Sequence, residues 1–473
     1  MRKHLLNSVV TVFLVTALAL SAWAGNVDTY GIVAKNTALV GAVSAFADDP
    51  FAIYYNPAGL TLNTRPMLSV GANIIKPVLR VDDYRVTGMN PAAVPGGAIG
   101  PTDMYDQSRL LVVPHLGFTT PVGKGFSAGI AAYVPFGLDI QWEKDVSGTG
   151  LGSGFCSNPG AYNSYRSYYM REVVTPTVAY KFNDMFSIGV GVSLGTSKSG
   201  VERLAFSPTS SLHNKRIITD LDDDLNWSFN VGVMFRPIQS LSIGLTYRGR
   251  TDTEFEGTTE MKGAGTSITV MTPGGSVTVP LSNTKVDSKT EIDHPEQLQA
   301  GIRYMPNDKV SVEADVVWTH WSVIDGYTVK FDRPFLNVPL LGPSNPARNY
   351  EYFERDWDNT IQFRLGVEWK VIPMLTLRGS YLYDPTPIPE DTVDLQWPDA
   401  DKHTFALGAG LNFGNVSIDA TVQYTYIESK QLEVKGESDN LNHTYTNGGG
   451  SPRVSLEADG HLWGGALTVN YKF

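Results

Sequence analysis

The sequence predicts an all-β protein: a 14-stranded antiparallel transmembrane β-barrel with an N-terminal hatch inside its lumen. Three observations predict this fold: an export signal, repeated segments of alternating apolar and polar residues, and connections that are alternately short and long. Beyond the signal, no apolar stretch reaches the roughly 18 residues that a transmembrane helix needs. A soluble β-sandwich is the alternative, because alternation alone also suits that fold.

Residues 1–24 have the three parts of a secretory signal peptide. The first residues are basic, the run 9–20 is nearly all apolar, and Ala22 and Ala24 form a small-x-small cleavage site. Because the apolar run is too short to span a bilayer, we expect cleavage near Gly25. An uncleaved membrane anchor is the alternative.

Period-two alternation identifies the strands. From Val416 to Tyr426 every second residue is apolar or aromatic and the residues between are polar, and 309–318 and 361–369 repeat the pattern. Such a segment offers one face to lipid and the other to a polar lumen. The predicted strands are 66–75, 109–119, 125–135, 172–182, 186–197, 225–236, 240–250, 292–305, 308–319, 358–370, 374–384, 402–413, 415–429 and 460–473.

The connections alternate in length, which places short turns on the periplasmic side and long loops outside. The long, polar, Gly- and Pro-rich stretches are 76–108, 136–171, 198–224, 251–291, 320–357, 385–401 and 430–459. Each strand that runs toward a short turn or the C-terminus ends in an outward aromatic residue, which indicates an aromatic girdle at one membrane interface. These residues are Phe118, Phe182, Phe235, Tyr304, Trp369, Phe413 and Phe473.

Residues 25–62 lack the strand alternation and are rich in small residues, as at Gly41, Ala42, Ser44 and Ala45. A barrel of this strand number encloses a lumen wider than its own side chains fill. A compact segment folded inside would close it. We therefore assign 25–62 to the hatch and 63–473 to the barrel.

Three blocks in order carry a family resemblance. They are Ala47-Asp48-Asp49-Pro50-Phe51-Ala52-Ile53-Tyr54-Tyr55-Asn56-Pro57-Ala58-Gly59-Leu60, the block from His294-Pro295-Glu296-Gln297 to Trp318-Thr319-His320-Trp321-Ser322, and the block from Trp357-Asp358-Asn359-Thr360 to Asp401-Lys402-His403. From 25 to 473 the chain resembles the FadL/TodX-type outer-membrane transporters of long-chain fatty acids and hydrocarbons, least in the loops. The resemblance implies a 14-stranded barrel and a hatch, with Asn56, Pro57, Ala58 and Gly59 as candidate gating residues. It also implies ligand capture at the extracellular loops and transfer to a lumen pocket.

The same resemblance implies a lateral exit where the third strand kinks. In this sequence that strand runs into Pro135, Phe136 and Gly137. Proline cannot donate to a β-ladder and glycine weakens one, so a break in pairing is expected there. An ordinary strand end entering the loop 136–171 is the alternative.

Apolar residues in the long loops are candidates for ligand capture, since an exposed apolar patch indicates binding. Packing of loop against loop is the alternative. The candidates are Phe331, Phe335, Leu336 and Leu340, with Val338 and Leu341 beside them and Phe155 and Tyr162 as weaker choices.

If the ligand bears a carboxylate, a lumen cation should meet it. Alternation turns Arg303, Arg364 and Arg378 inward, and the arginine fork matches two carboxylate oxygens. The alternative is structural: the inward acids Glu313, Asp315 and Glu368 would pair with these arginines or tether the hatch.

The sequence gives no basis for an enzyme or a metalloprotein. Two G-x-S-x-G matches, 125–129 and 191–195, lie within predicted strands rather than at a strand-to-helix turn. Eight histidines and the one cysteine, Cys156, show no metal-ligand spacing, and we expect no cofactor. The net charge of −11 gives no electrostatic reason to bind nucleic acid.

We therefore expect a monomeric channel in the bacterial outer membrane that takes up hydrophobic small molecules passively, with long-chain fatty acids as the leading ligands. Its expected partners are that ligand, outer-membrane lipid and lipopolysaccharide, and the barrel-assembly machinery that reads the C-terminal aromatic strand. A diffusion porin for polar solutes and an aromatic hydrocarbon transporter of the same fold are the alternatives.

Overall fold

The computed structural model describes residues 31–146, 148, 154–338, 347–432 and 438–473, so the predicted signal peptide lies outside the described residues. Within them the chain forms 21 β-strands. They are β1 Met67–Met89, β2 Ile99–Tyr105, β3 Leu111–Gly123, β4 Phe126–Gln141, β5 Arg166–Lys181, β6 Phe186–Leu204, β7 Arg216–Ile238, β8 Leu241–Arg248, β9 Phe255–Lys262, β10 Ser267–Thr272, β11 Gly275–Pro280, β12 Lys285–Thr290, β13 Gln297–Asn307, β14 Val310–Thr319, β15 Gly326–Phe335, β16 Arg348–Glu354, β17 Thr360–Ile372, β18 Leu375–Asp384, β19 Lys402–Asn412, β20 Val416–Leu432 and β21 Gly450–Lys472.

Helices are short and few in the described residues, and none of them is long and apolar enough to cross a membrane. The α-helices are α1 Ala34–Thr37, α2 Ala52–Tyr55 and α3 Asp439–Thr444. The 3-10 helices are Pro57–Leu62, Pro95–Gly97, Pro159–Tyr162, Trp321–Val323, Glu390–Thr392 and Thr446–Gly448.

Fourteen of the described strands close into one antiparallel barrel, as predicted. Around the wall they are β1, β3 to β8, β13, β14 and β17 to β21, each hydrogen-bonded to the next. β1 and β21 close the ring along a ladder from Met67↔Lys472 to Met89↔Gly450. Closing the ring supplies main-chain hydrogen-bond partners that lipid cannot offer.

The predicted alternation is confirmed along the wall strands. On β20, Thr421 and Gln423 are buried toward the lumen, whereas Val422 between them is 61% exposed on the outer face. On β14, Glu313 and Asp315 are buried while Val316 is exposed outward. The apolar face therefore meets lipid and the polar face lines the interior.

The outer connections are more ordered than the sequence predicts. The stretches 76–108, 251–291 and 320–357 were expected to be loops, but β1 runs on to Met89, and β2, β9 to β12, β15 and β16 all form there. Above the membrane the outer face of the wall meets water and the inner face packs on a buried core. On β1 this inverts the alternation, so that Val81 and Tyr84 are buried and Arg80 is exposed. The inversion removes the signal expected of a lipid-facing strand.

The predicted aromatic girdle is present at the end of the barrel that carries the short turns. Six of its seven residues have exposed outward side chains. The seventh, Phe118, is half-buried because it packs edge-on against Phe473, with ring centroids 6.4 Å apart. Rings that are apolar in the body suit the boundary between hydrocarbon and water.

The hatch folds inside the half of the lumen nearer the short turns. Over 31–62 it contains α1, α2 and one 3-10 helix. Phe51, Ile53 and Leu60 form its apolar core with wall residues such as Ala131. Burial of this small core between the hatch and the wall holds the hatch in place.

Candidate functional site

The segment 56–59 forms a capped turn within the hatch. Asn56 Oδ1 accepts a hydrogen bond from the Ala58 amide at 3.1 Å and caps the 3-10 helix that follows. Its Nδ2 donates to the carbonyl oxygens of Ser44 at 2.6 Å and Val233 at 3.0 Å. One buried side chain thus joins two hatch segments to the wall strand β7.

Glycines in the wall allow the hatch main chain to approach closely. A Cβ on Gly189 would overlap Pro57, and a Cβ on Gly244 would overlap the carbonyl oxygen of Ser44. Within the hatch, Gly59 is held equally close to a neighbouring main-chain segment. Residues 56–59 are therefore docked against the wall, and their gating role stays a prediction.

Two wall carboxylates hold the hatch through its main chain. Asp315 Oδ2 accepts from the Ser44 amide at 3.1 Å, and Glu313 Oε1 accepts from the Ala45 amide at 2.7 Å. Gln299 donates to the same Asp315 oxygen at 2.6 Å. We call Ser44, Ala45, Glu313 and Asp315 the hatch clasp. These contacts agree with the alternative in which Glu313 and Asp315 tether the hatch.

Arg378 lies in a buried ion network. Its Nε donates to Glu368 at 2.9 Å and its Nη1 donates to Asp419 at 2.8 Å. All three side chains are mostly buried in the lumen wall. Two carboxylates therefore occupy the guanidinium group of Arg378. This agrees with the alternative in which the inward arginines pair with inward acids.

Arg303 and Arg364 also point inward and contact the hatch. The guanidinium of Arg303 lies over the ring of Phe46 at 4.1 Å. Arg364 donates to Gln362 at 2.5 Å and packs against Gly41. The three predicted arginines thus line the hatch region, and their role in binding a carboxylate ligand stays a prediction.

A separate pocket lies in the lumen directly beside the hatch. Its cavity volume is about 30 Å³, so side chains around it would have to move to admit a ligand larger than a water molecule. Its lining includes Tyr54, Tyr133, Pro135, Phe136, Arg171 and Arg248. Tyr54 belongs to the hatch and the rest to the wall, so the hatch supplies part of the pocket surface.

Arg171 brings a buried positive charge to this pocket. Its Nε donates to Asn226 Oδ1 at 2.7 Å and its Nη1 donates to Ser228 Oγ at 3.2 Å. The side chain is only 3% exposed, and its Nη2 has no hydrogen-bond partner among the residues that the structure describes. A buried guanidinium with one unsatisfied donor is costly unless a ligand completes it.

Arg248 brings the second positive charge. Its Nε and Nη2 donate to the amide oxygens of Gln297 at 2.9 Å and Gln299 at 3.1 Å. The guanidinium also lies over the ring of Tyr54 at 4.8 Å. Across the described ranges, neither Arg171 nor Arg248 has a carboxylate at ion-pair distance.

The sequence analysis missed both pocket arginines. Arg171 stands one residue before the predicted strand 172–182, and Arg248 lies within the predicted strand 240–250. The inward register of β8, which includes Ser242 and Thr246, would have identified Arg248. No sequence signal shows that an inward arginine lacks an acidic neighbour.

The wall is irregular beside the pocket, near the predicted lateral exit. The β3–β4 ladder stops at Leu116↔Ala132, whereas β4 continues along β5 to Gln141. The β4–β5 register also shifts between Tyr133 and Phe136. Strand β4 therefore does not end at Pro135-Phe136-Gly137, contrary to the alternative of an ordinary strand end. A route for ligand through this region stays a prediction.

The predicted capture residues are more buried than expected. Phe335 and Val338 are 8% and 0% exposed and lie in an apolar cluster with other loop residues, against which Phe331 and Leu336 pack. The expectation of an exposed patch is wrong for the first two, because long loops cover their apolar side chains with one another. Leu340 and Leu341 lie outside the described residues, and capture by this region stays a prediction.

The serines of the two G-x-S-x-G matches lie on the inner wall. Ser127 and Ser193 are buried within β4 and β6, and Ser193 Oγ lies 2.9 Å from Thr175 Oγ1. Neither serine stands at a strand-to-helix turn, as a nucleophile elbow requires. Small inward side chains next to a hatch explain both matches.

Comparison with known proteins identifies the family. Residues 13–473 match the model of the outer membrane protein transport protein family (OMPP1/FadL/TodX). The chain belongs to this family. It is therefore an outer-membrane transport channel for hydrophobic compounds and not an enzyme.

Relatives within the family differ in the ligand that their names specify. A long-chain fatty acid transport protein of Escherichia coli O6:H1 is 22% identical, over 91% of this chain and 90% of its own length. The crystal structure of a Pseudomonas aeruginosa FadL homologue aligns with a TM-score of 0.74 at 20% identity, covering 95% of this chain and all of that chain. The Pseudomonas putida toluene transporter TodX aligns with a TM-score of 0.65 at 15% identity, covering 95% and 99%. These likenesses support the fold and leave fatty acid and aromatic ligands both open.

Proposed function

We propose that this channel takes up amphiphiles with a carboxylate head and a long apolar tail, with long-chain fatty acids as the ligand class. The observation that carries the proposal is the pair Arg171 and Arg248 in the lumen pocket, which have no carboxylate at ion-pair distance among the described residues. A ligand carboxylate would supply the missing charge.

Electrostatics favours a charged ligand head over a neutral one. Removing an arginine from water costs several kcal/mol, roughly, unless an opposite charge compensates it. A neutral hydrocarbon offers no compensation, whereas a carboxylate accepts two hydrogen bonds from a guanidinium fork. The free Nη2 of Arg171 is the donor best placed for this contact.

The aromatic part of the pocket lining would contact an apolar tail once the pocket widens. Tyr54, Tyr133 and Phe136 contribute aromatic surface beside the two guanidinium groups. Because Tyr54 belongs to the hatch, a ligand in the pocket would contact the hatch directly. This contact gives a physical link from ligand binding to hatch movement, after which the ligand would leave through the lumen or past the irregular stretch of β4.

The two other proposals are weaker on the same observations. A transporter for monoaromatic hydrocarbons shares the fold, but such ligands would leave both arginines without a carboxylate at ion-pair distance. A diffusion porin needs an open aqueous lumen, whereas the hatch of this chain fills part of the lumen and is fixed to the wall by the hatch clasp.

The double variant Arg171→Gln/Arg248→Gln tests the proposal. Truncating one partner of a buried charge pair costs about 2–5 kcal/mol, so we expect binding of a radiolabelled C16–C18 fatty acid to weaken by about 100-fold or more. Toluene binding should change little. The measurement is equilibrium binding to refolded protein in detergent, followed by uptake in cells.

The matched control is Arg80→Gln, which alters an exposed arginine paired with Asp459 outside the pocket. It should bind fatty acid like the parent protein. Unchanged fatty acid binding in a correctly folded double variant would overturn the proposed ligand class, and tight toluene binding that the fatty acid cannot displace would favour the aromatic alternative.

A further inference from the structure

We infer that Phe136 and His294 form an aromatic gate over the lumen pocket and that Phe136 sets the width of the ligand that passes. The inference deepens the proposed function, because it concerns access to the same pocket. It assigns Phe136, on β4, a role in selecting the ligand, and it assigns His294, just before β13, a role in holding Phe136 in position.

The local course of β4 explains why Phe136 points inward. Strict alternation from Tyr133, which faces the pocket, would turn residue 136 toward lipid. The register shift between Tyr133↔Val173 and Phe136↔Arg171 restores an inward direction. A shift of this kind re-aims a side chain at the cost of regular pairing. As a result Phe136 is buried rather than exposed to lipid.

His294 holds the ring of Phe136 in place. The two rings are stacked, with centroids 4.7 Å apart and planes inclined by 19°. His294 is itself fixed by its main chain, which pairs with Thr251, and lies with a ring nitrogen 3.3 Å from the hydroxyl of Tyr169. Face-to-face contact between the two rings restricts the movement of Phe136.

The stacked pair separates two regions of the interior. On one side, Phe136 lines the pocket that contains Arg171 and Arg248. On the other side, His294 contacts Tyr169, whose ring lies 5.1 Å from Trp397 in the buried aromatic core of the extracellular half. A ligand that arrives from outside through this aromatic core would displace the pair before it reached the arginines.

Displacement is easier for Phe136 than for a residue in a regular ladder. The β3–β4 ladder ends at Ala132, so among the described residues Phe136 is not part of the ladder that fixes residues 126–132 on that side of β4. A slim alkyl chain needs a small rotation of the ring, whereas a bulky or cyclic group needs the ring to leave the stack. Phe136 would thus discriminate by cross-section and the arginine pair by charge.

Phe136→Ala tests the gate by a ratio of two uptake rates. The probes are a linear C16 fatty acid and an acid of similar carbon number that ends in a cyclohexyl ring. Because a missing ring opens the cross-section but leaves both arginines in place, we expect the cyclic-to-linear ratio to rise about ten-fold, with Phe136→Leu between the two. A folded Phe136→Ala protein with an unchanged ratio would overturn the inference.

Two further variants complete the test. Phe405→Ala removes a phenylalanine on the lipid-facing side of β19 and should leave the ratio unchanged. His294→Ala should raise the ratio, and His294→Phe, which keeps two rings, should raise it less. Equal effects of the two His294 variants would argue against stacking as the cause.

One further measurement distinguishes failure of the gate from failure of the proposed ligand class. The same ratio is measured with a neutral pair, hexadecane and a cyclohexyl alkane. If the chain carries neutral hydrocarbons, the fatty acid assignment fails while Phe136→Ala still raises the neutral cyclic-to-linear ratio. If fatty acid binding depends on the arginines but no ratio responds to Phe136, only the gate is wrong.

Discussion

Arg378 and Arg171 lie on the inner face of the same barrel, yet their guanidinium groups meet different partners. Arg378, in the hatch region, donates to two carboxylates, Glu368 and Asp419. Arg171, in the pocket, donates to the neutral oxygens of Asn226 and Ser228, and within the described part of the chain one of its donors is unsatisfied. Both side chains are almost fully buried.

The difference separates a structural charge from a charge that is available to a ligand. A buried arginine with its own carboxylates is neutralised, and a ligand anion would have to compete with them. A buried arginine that is held in place by amide and hydroxyl oxygens is oriented but remains charged. Perturbed or uncompensated charges of this second kind mark functional sites more often than paired ones do.

The largest expected effect comes from exchanging the two arginines for methionine. Arg378→Met leaves two buried carboxylates without their partner, so we expect the free energy of unfolding to fall by about 3–5 kcal/mol. Arg171→Met leaves no carboxylate without its partner, so it should lower the free energy of unfolding by less than about 2 kcal/mol. It should also abolish fatty acid binding. Urea unfolding in detergent and equilibrium binding, measured on both variants, give the comparison.

An equal loss of stability in both variants would contradict the proposed difference between the two arginines. So would a folded Arg378→Met protein that binds ligand as weakly as Arg171→Met. Either result would mean that the two regions of the lumen act as one site.

A smaller effect is expected where the hatch touches the wall. In Gly244→Ala the new methyl group would overlap the carbonyl oxygen of Ser44. Overpacking of this kind costs about 1–3 kcal/mol, which should loosen the hatch and raise the ion conductance of the channel in planar bilayers. The matched control is Gly379→Ala, whose methyl group meets Leu407 at an ordinary 3.5 Å and should leave conductance unchanged.

If Gly244→Ala and Gly379→Ala conduct alike, the close approach of the hatch to β8 does not keep the channel closed. The pocket provides a second readout. Because a methyl group on Gly244 would meet Ser44 and Ala45 of the hatch rather than a pocket arginine, the affinity of the pocket for ligand should change less than the conductance does.

The barrel was predictable because lipid imposes a simple rule on its wall. Every wall strand, such as β14 at Val310–Thr319 against the predicted 308–319, follows from alternation of apolar and polar residues. The extensions above the membrane were not predictable in this way. There the outward residues are polar, as at Arg80, and the inward residues are apolar, as at Val81. The residues still alternate, but the apolar residues now face the interior instead of lipid.

For the candidate site, the sequence predicted which side chains point inward but not which partners they meet. Alternation placed Arg303, Arg364 and Arg378 on the inner face, which the structure bears out. Whether an inward arginine meets an acid depends on residues far apart in sequence, as with Arg378 and Asp419. The stack of Phe136 on His294 depends in addition on a register shift, and Pro135 and Gly137 predict irregular pairing there without predicting which way Phe136 points.

The smallest expected effect concerns the hatch clasp. Glu313→Gln keeps an oxygen that can accept from the Ala45 amide but removes the charge, which should weaken this contact by about 1 kcal/mol. Glu313→Ala removes the acceptor as well and should have a larger effect. Both are measured as the fraction of time that single channels spend open.

Ser311→Ala is the control for the clasp, since Ser311 lies on the same strand and face, two residues nearer the short turn. It should not change the open fraction. A graded order, with Glu313→Ala above Glu313→Gln and both above Ser311→Ala, is what a charge-assisted contact to the hatch main chain requires. An equal open fraction in all three would mean that the hatch is held by its apolar core, around Phe51 and Leu60, and that the carboxylates of this region serve only to balance its charge.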